Sequence, residues 1–275
     1  CSIQSLTLSK TAFTCADLGT QDVLLTAVDF SGNRTSQRAV IRVLDNRAPR
    51  AVANNTVVYL KANGTAELDV FAFSRGSSDN CSIAKIEVNV GLLDCSFVGQ
   101  RPVEVKLIDP SGNFSKATAF MTVLDTIAPV VSVKDTVLYL DATGKVSLPA
   151  EKVAASIVEA CGMISSISLS RTDFDCSVSS EMVRFTATDR QGNQGFAMFR
   201  VTVQDTTAPV LRVRPAIVYL DKEGIGRLSV PMVDNGSSDN CGITTLTLRD
   251  TLYSCSEVGD RMTLLTARDA AGNTS

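Results

Sequence analysis

The chain has 275 residues, 26 of them Lys or Arg and 29 Asp or Glu, for a net charge of −3, with no His and no Trp. The 44% hydrophobic content suffices for packed cores in one large domain or two to four small ones, and the absence of any basic run speaks against a nucleic-acid partner. No stretch approaches the ~18–20 consecutive apolar residues of a membrane span. The sequence starts at Cys1 and not at Met, so it is expected to be a window of a longer polypeptide whose secretory leader lies outside it.

In chain order, residues 1–44 run from Cys1 through Cys15 to the turn word DFSGN at 29–33. Residues 45–124 open on DNRAP (45–49) and alternate apolar and polar side chains at Ala66/Leu68/Val70, Ile86/Val88/Val90 and Val103/Val105/Leu107. They also carry SSDNC at 77–81, Cys95 and DPSGN at 109–113. Residues 125–204 repeat the order with DTIAP (125–129), IVEAC (157–161), Cys176, DRQGN (189–193) and the alternating Phe199/Val201/Val203. Residues 205–275 open on DTTAP (205–209), write SSDNC again at 237–241, and continue through Cys255 to DAAGN at 269–273.

The leading cysteines of these segments stand at 1, 81, 161 and 241, a constant step of 80. Repetition at that length marks a small independent domain rather than a solenoid unit. The window therefore holds the C-terminal part of one repeat (1–44), two complete repeats (45–124 and 125–204) and a repeat lacking its last strand (205–275). Period-2 alternation between Gly-containing turns gives half-buried strands. Six or seven of them per repeat predict an all-β chain of tandem immunoglobulin-like β-sandwiches strung into an extended rod. The one helix-tempting stretch, residues 150–160, is expected to hold a short helical turn at most.

Eight cysteines in an even pattern imply disulfides and an oxidising compartment. No two stand two to four residues apart and there is no His, so thiolate zinc is not expected. The period favours one local bridge per repeat: Cys1–Cys15, Cys81–Cys95, Cys161–Cys176 and Cys241–Cys255. Each would close a loop of about 15 residues, worth roughly 3 kcal/mol through the unfolded state.

Three acidic positions recur per repeat. In immunoglobulin-like strand order the incoming linker and two of the loops share a pole, which would gather Asp45, Asp79 and Asp109. It would also gather Asp205, Asp239 and Asp269, and in the middle repeat Asp125, Glu159 and Asp189. Converging carboxylates are what Ca²⁺ requires, at six to eight oxygens. The same Asp and Asn residues also serve as ordinary turn formers, and both readings stand at this point. Seven Asn-x-Ser/Thr sequons, including Asn33, Asn54, Asn80, Asn113 and Asn273, sit mostly at turns that need no sugar to explain them. Phe71 and Phe73 replace the aliphatic residues of the fourth repeat and are read as core or, alternatively, as an exposed binding patch.

The combination of D-x-x-A-P, S-S-D-N-C and D-x-x-G-N in one frame resembles the hyalin-repeat-like modules found in tandem in giant surface proteins of Bacteroidota. Those include gliding-motility adhesins exported by type IX secretion. The resemblance runs through the whole chain, although the middle repeat lacks the S-S-D-N letters and has Ser179 where the others have Gly19, Gly99 and Gly259. It implies a secreted, cell-surface location, a stalk or adhesive role, and O-glycosylation at Asp-Thr pairs, here Thr126, Thr136, Thr206 and Thr251. With no His, no phosphate loop and no nucleophile elbow, catalysis is not expected. The leading reading is a non-catalytic stalk segment whose partners are its neighbouring repeats and, beyond them, surface glycans or other surface proteins. A direct carbohydrate- or protein-binding module and a filament subunit are the alternatives.

Overall fold

A computed structural model describes residues 2–275; Cys1, and with it the expected Cys1–Cys15 bridge, begins outside the described residues. The chain divides into two compact units, Cys1–Ile127 and Ala128–Ser275. Among the described residues no helix is long and apolar enough to cross a membrane.

The first unit begins with an antiparallel sheet of β1 (Ile3–Leu8), β2 (Gly19–Asp29) and β3 (Arg34–Val43). A complete repeat follows: β4 (Thr56–Tyr59), β5 (Thr65–Ala66), α1 (Val70–Ser74), β6 (Lys85–Val88), β7 (Leu93–Asp94), β8 (Gly99–Ile108) and β9 (Phe114–Leu124). β4, β9, β8 and β6 form one sheet and β5 pairs with β7. The entering strand β4 runs parallel to the last strand β9, and the other pairs are antiparallel. Alternation decides which side of β8 is core: Val103, Val105 and Leu107 are fully buried while Glu104 and Lys106 are not. The expected Ala66/Leu68/Val70 strand is cut short. It ends at Ala66, and Asp69 accepts a hydrogen bond from the Phe71 backbone N–H at 3.0 Å, capping α1. That turn buries Phe73 completely and leaves Phe71 68% exposed, so only one of the two is core.

The second unit repeats the plan with β10 (Val130–Val133), β11 (Thr136–Tyr139), β12 (Lys145–Ser147), β13 (Ala155–Val158), β14 (Ile164–Leu169), β15 (Asp173–Asp175), β16 (Ser180–Asp189) and β17 (Gln194–Gln204). β11, β17, β16 and β14 form the larger sheet, with β10–β13 and β12–β15 as its companions. Phe174, Val183, Phe185, Phe199 and Val201 fill the space between them, flanked by Val131, Val146 and Ile157. This is an aliphatic sandwich core with three Phe side chains. The helix-tempting stretch yields one 3₁₀ turn, Ala150–Lys152, before β13. Gly195 lets the linker lie against β17, because a Cβ there would stand 1.7 Å from the Pro129 carbonyl oxygen.

The remaining elements are β18 (Ile225–Arg227), α2 (Val230–Val233), β19 (Ile243–Leu248), β20 (Leu252–Ser254) and β21 (Leu265–Asp269). Where β9 and β17 begin in the other repeats, Thr274 pairs with Arg268, and Ser275 exchanges backbone hydrogen bonds with Ala267 of β21. A cavity of about 780 Å³ is lined by Val218, Leu220, Leu228, Tyr253, Met262 and Leu265.

The disulfides correct the local pairing. Cys15 bonds Cys81 and Cys176 bonds Cys241, with Cα atoms 5.4 and 5.5 Å apart. Cys95 and Cys161 are disulfide-bonded as well, and Cys255 is a free, exposed thiol. Cys1–Cys15, Cys81–Cys95, Cys161–Cys176 and Cys241–Cys255 are therefore all excluded. The reason is strand length. Between Cys161 and Cys176 the chain runs through the six-residue β14, about 20 Å from end to end. A bridge tolerates at most about 7 Å between Cα atoms. After β14 the chain does not return along it but crosses to pair β15 with β12. The two cysteines of the 125–204 repeat thus sit at opposite ends, and Cys15–Cys81 and Cys176–Cys241 each tie the second cysteine of one repeat to the first of the next within the same unit.

Candidate metal centre

In the first unit, the linker after β3, the loop after α1 and the β8–β9 turn converge. Asp45, Asp79 and Asp109 each offer a carboxylate oxygen within 4.8 Å of the others. Each acid is first fixed by its own loop. Asp45 Oδ1 accepts from the Arg47 backbone N–H and from Asn80 Nδ2, both at 3.1 Å. Asp79 Oδ2 accepts from the backbone N–H groups of Cys81 at 2.8 Å and Ser82 at 3.0 Å. Asp109 accepts from the Asn113 backbone N–H and from Asn113 Nδ2, both at 2.8 Å. Asn113 Nδ2 also donates to the Asp45 carbonyl at 3.0 Å and so ties the turn to the linker. What remains is Asp45 Oδ2 and Asp79 Oδ1, both buried and without a hydrogen-bond partner.

The second unit builds the same cage from Asp205, Asp239 and Asp269, again within 4.8 Å. Asp205 Oδ1 accepts from Thr207 N–H at 3.0 Å and Asn240 Nδ2 at 3.1 Å. Asp239 Oδ1 accepts from Cys241 N–H at 2.9 Å. Asp269 is held by Asn273 through its backbone at 2.8 Å and its amide at 2.7 Å. The Asn273 amide reaches the Asp205 and Thr207 carbonyls as well, at 3.2 Å each. Asp205 Oδ2, Asp239 Oδ2 and Asn240 Oδ1 are left buried and unpaired.

Of the other predicted ligands, Asp125 lies in the first unit, 5% exposed, and accepts from Ile127 N–H at 3.0 Å. Glu159 and Asp189 lie in the second unit. Glu159 accepts from Cys161 N–H at 3.3 Å, and Asp189 is buried and held by Asn193 as Asp109 is by Asn113.

The electrostatics favour a cation. Two ionised carboxylates no more than 4.8 Å apart repel by at least about 3.5 kcal/mol at an effective dielectric near 20. Burial, the largest single influence on Asp109 and Asp269, pushes their carboxyls up, but hydrogen bonds from the Asn113 and Asn273 side chains and from the turn N–H groups outweigh it. Both acids end below the usual carboxylate value of 3.8. No ion pair among the described residues includes an acid of either trio. Hard carboxylate and amide oxygens, with neither imidazole nor thiolate, suit Ca²⁺ rather than a softer metal. The orphaned buried oxygens are the positions such an ion would satisfy.

Both cages adjoin a bridge between repeats. Cys81 directly follows Asn80, whose carbonyl oxygen lies 3.4 Å from Cys15 Sγ. Cys241 directly follows Asn240, whose amide donates to the Asp141 carbonyl of the preceding repeat at 3.0 Å. The asparagine clamps were missed from sequence, although the letters DNC and GN repeat visibly. They also bear on the sequons: the side-chain amides of Asn33, Asn54, Asn80, Asn113 and Asn273 all donate inside the protein. Thr126, Thr206 and Thr251 are exposed, whereas Thr136 is half-buried in β11.

No family model matches the chain. Hyalin of Strongylocentrotus purpuratus is 30% identical over 246 residues, covering 84% of this chain. The chain spans only 20% of that relative's length. The match supports a hyalin-repeat-like fold. Among solved structures, extracellular cadherin domains 1–4 of protocadherin gamma B7 align over 100% of this chain and 89% of that one. Their identity is 12% and the TM-score 0.34. Drosophila N-cadherin EC1–4 aligns over 99% and 89%, with 13% identity and a TM-score of 0.31.

Proposed function

We infer that this chain is a segment of an extracellular, adhesion-type repeat protein, working as a non-catalytic stalk whose repeat joints are fixed by a disulfide and by Ca²⁺. The observation that carries this reading is the set of orphaned, buried oxygens on Asp45, Asp79, Asp205 and Asp239, of which Asp79 and Asp239 stand two residues before cysteines that bridge to the preceding repeat. Asp45, Asp79 and Asp109 would hold one ion, and Asp205, Asp239, Asp269 and the Asn240 amide oxygen another. The ion would cancel the mutual repulsion of three carboxylates and lock linker, loop and turn together. Disulfides between repeats suit an oxidising, extracellular setting, as does the similarity to hyalin. Neighbouring repeats are the first partners. Surface glycans or other surface proteins come next, and a Bacteroidota cell surface reached by type IX secretion is the setting the sequence resemblance implies.

The test is thermal unfolding of the oxidised chain in Ca²⁺ and in EDTA, with calorimetric titration of Ca²⁺ into the metal-free protein. An ion at a hundred times its Kd adds about 2.7 kcal/mol per site, an upward shift of several degrees. Asp205→Asn with Asp239→Asn is expected to remove the second unit's share. Superimposable melts in Ca²⁺ and EDTA would overturn the reading.

A further inference from the structure

The free thiol of Cys255 has bonded counterparts in the same chain, and they show what it is built to receive. In the second unit, the end of the repeat 125–204 is formed by the Asp141–Lys145 turn and by Cys176. Asp141 N–H donates to the Lys145 carbonyl at 2.9 Å, and Gly144 N–H donates to the Asp141 carbonyl at 2.9 Å. This end takes in the Asn240–Cys241 loop of the next repeat through the Cys176–Cys241 bond and the Asn240 amide on the Asp141 carbonyl. Gly144 is required twice over. Its φ is +72°, and a Cβ there would stand 2.6 Å from the Asn240 carbonyl oxygen and 2.7 Å from Cys176 Sγ. The first unit makes the equivalent bond, Cys15–Cys81, with Cys15 Sγ 3.4 Å from the Asn80 carbonyl oxygen.

The repeat 205–275 presents the same receiving end. Asp221 N–H donates to the Ile225 carbonyl and Gly224 N–H to the Asp221 carbonyl, both at 3.0 Å, which reproduces the Asp141 turn. Gly224 has φ +75°, and a Cβ there would meet Cys255 Sγ at 2.9 Å and no other atom within 4 Å. The space that the Asn240 carbonyl fills against Gly144 is open. The thiol is already placed: Ser254 and Glu257 close a capping box around its 3₁₀ turn, as Thr14 and Asp17 do around Cys15.

We propose that Cys255, the Asp221 carbonyl and Gly224 form a covalent docking socket for the Asn-Cys loop of a further repeat of this same type, following in register. The incoming asparagine amide donates to the Asp221 carbonyl, and the incoming cysteine bonds Cys255 Sγ. Closing the bond oxidises two thiols. A small-molecule disulfide such as oxidised glutathione accepts the two electrons and two protons and leaves as two thiols, through a mixed disulfide on one cysteine that the other attacks. The proposal rests on the cysteine register and not on calcium.

The test therefore runs in EDTA, so its failure is separable from failure of the metal reading. The 275-residue chain is extended directly after Ser275 by a copy of its own Phe196–Ser275, which continues the 80-residue register. A second extension uses a copy of Ser36–Ser115, which carries the other SSDNC loop. Both chains are refolded in a glutathione buffer, alkylated and mapped without reduction. The expected result is Cys255 cross-linked to the copied Cys241 in the first and to the copied Cys81 in the second. Changing either copied cysteine to Ser should leave Cys255 alkylated, with Cys176–Cys241 intact. Cys255 alkylated in both extended chains, or bonded to Cys255 of another molecule, overturns the proposal.

Discussion

Breaking the Cys176–Cys241 bridge separates the two pairing schemes by magnitude as well as by connectivity. The bridge joins residues 65 apart in sequence, and the chain-entropy relation for a loop of that length gives about 4 kcal/mol near 25 °C. A local bridge closing about 15 residues would contribute about 3 kcal/mol. The double variant Cys176→Ser/Cys241→Ser should therefore lose about 4 kcal/mol in denaturant unfolding of the second unit. Its melting temperature should fall by roughly 10 °C, taking 2–4 °C per kcal/mol. The two repeats, no longer tied, should also unfold less cooperatively. The sharper arm is thiol accessibility: in Cys241→Ser alone, Cys176 should become alkylatable. If Cys176 stays protected in that variant, or if the unreduced map links it to Cys161, the argument from strand length fails.

Other perturbations probe the core and the cage. Phe73→Ala, at a fully buried site, should cost about 3–5 kcal/mol, while Phe71→Ala, at 68% exposure, should stay within about 0.5 kcal/mol; equal losses in urea unfolding would contradict the assigned burial. Asn113→Ala strips the clamp from Asp109 and the linker and should cost about 1–3 kcal/mol, with a weaker response to Ca²⁺ in the same melts. Acid should destabilise through Asp109 and Asp269, whose folded carboxyls titrate below the usual 3.8. Their contribution is fully present above that value and is lost as pH falls through the lower folded value, so melting temperature should drop only below about 3.8. A decline that begins well above it would point to other groups.

Much of the architecture was legible in the residues themselves. Alternation is a local property, so Val103, Val105 and Leu107, and again Phe199, Val201 and Val203, could be assigned to a core face before any packing was known. The gathering of Asp45, Asp79 and Asp109 followed from strand order, since three segments that begin or end at one pole must meet there. The fixing of each carboxylate was not legible. Asn80 and Asn113 look like ordinary turn residues, and only their distances to Asp45 and Asp109 reveal them as clamps. The α1 turn was likewise hidden, because Asp69 caps a helix where alternation alone continues the strand.

The sequence alone determined the period, the strands and the acidic pole, because each depends on residues within one repeat and on a fixed side-chain periodicity. Tertiary structure alone decided the covalent connectivity. Cys161 is 15 positions from Cys176, and Cys241 is 65 from it. The nearer residue is nevertheless the wrong partner, because an extended strand carries the chain away at about 3.3 Å per residue. A disulfide responds to distance in space, and in this fold the cysteine nearest in space belongs to the next repeat.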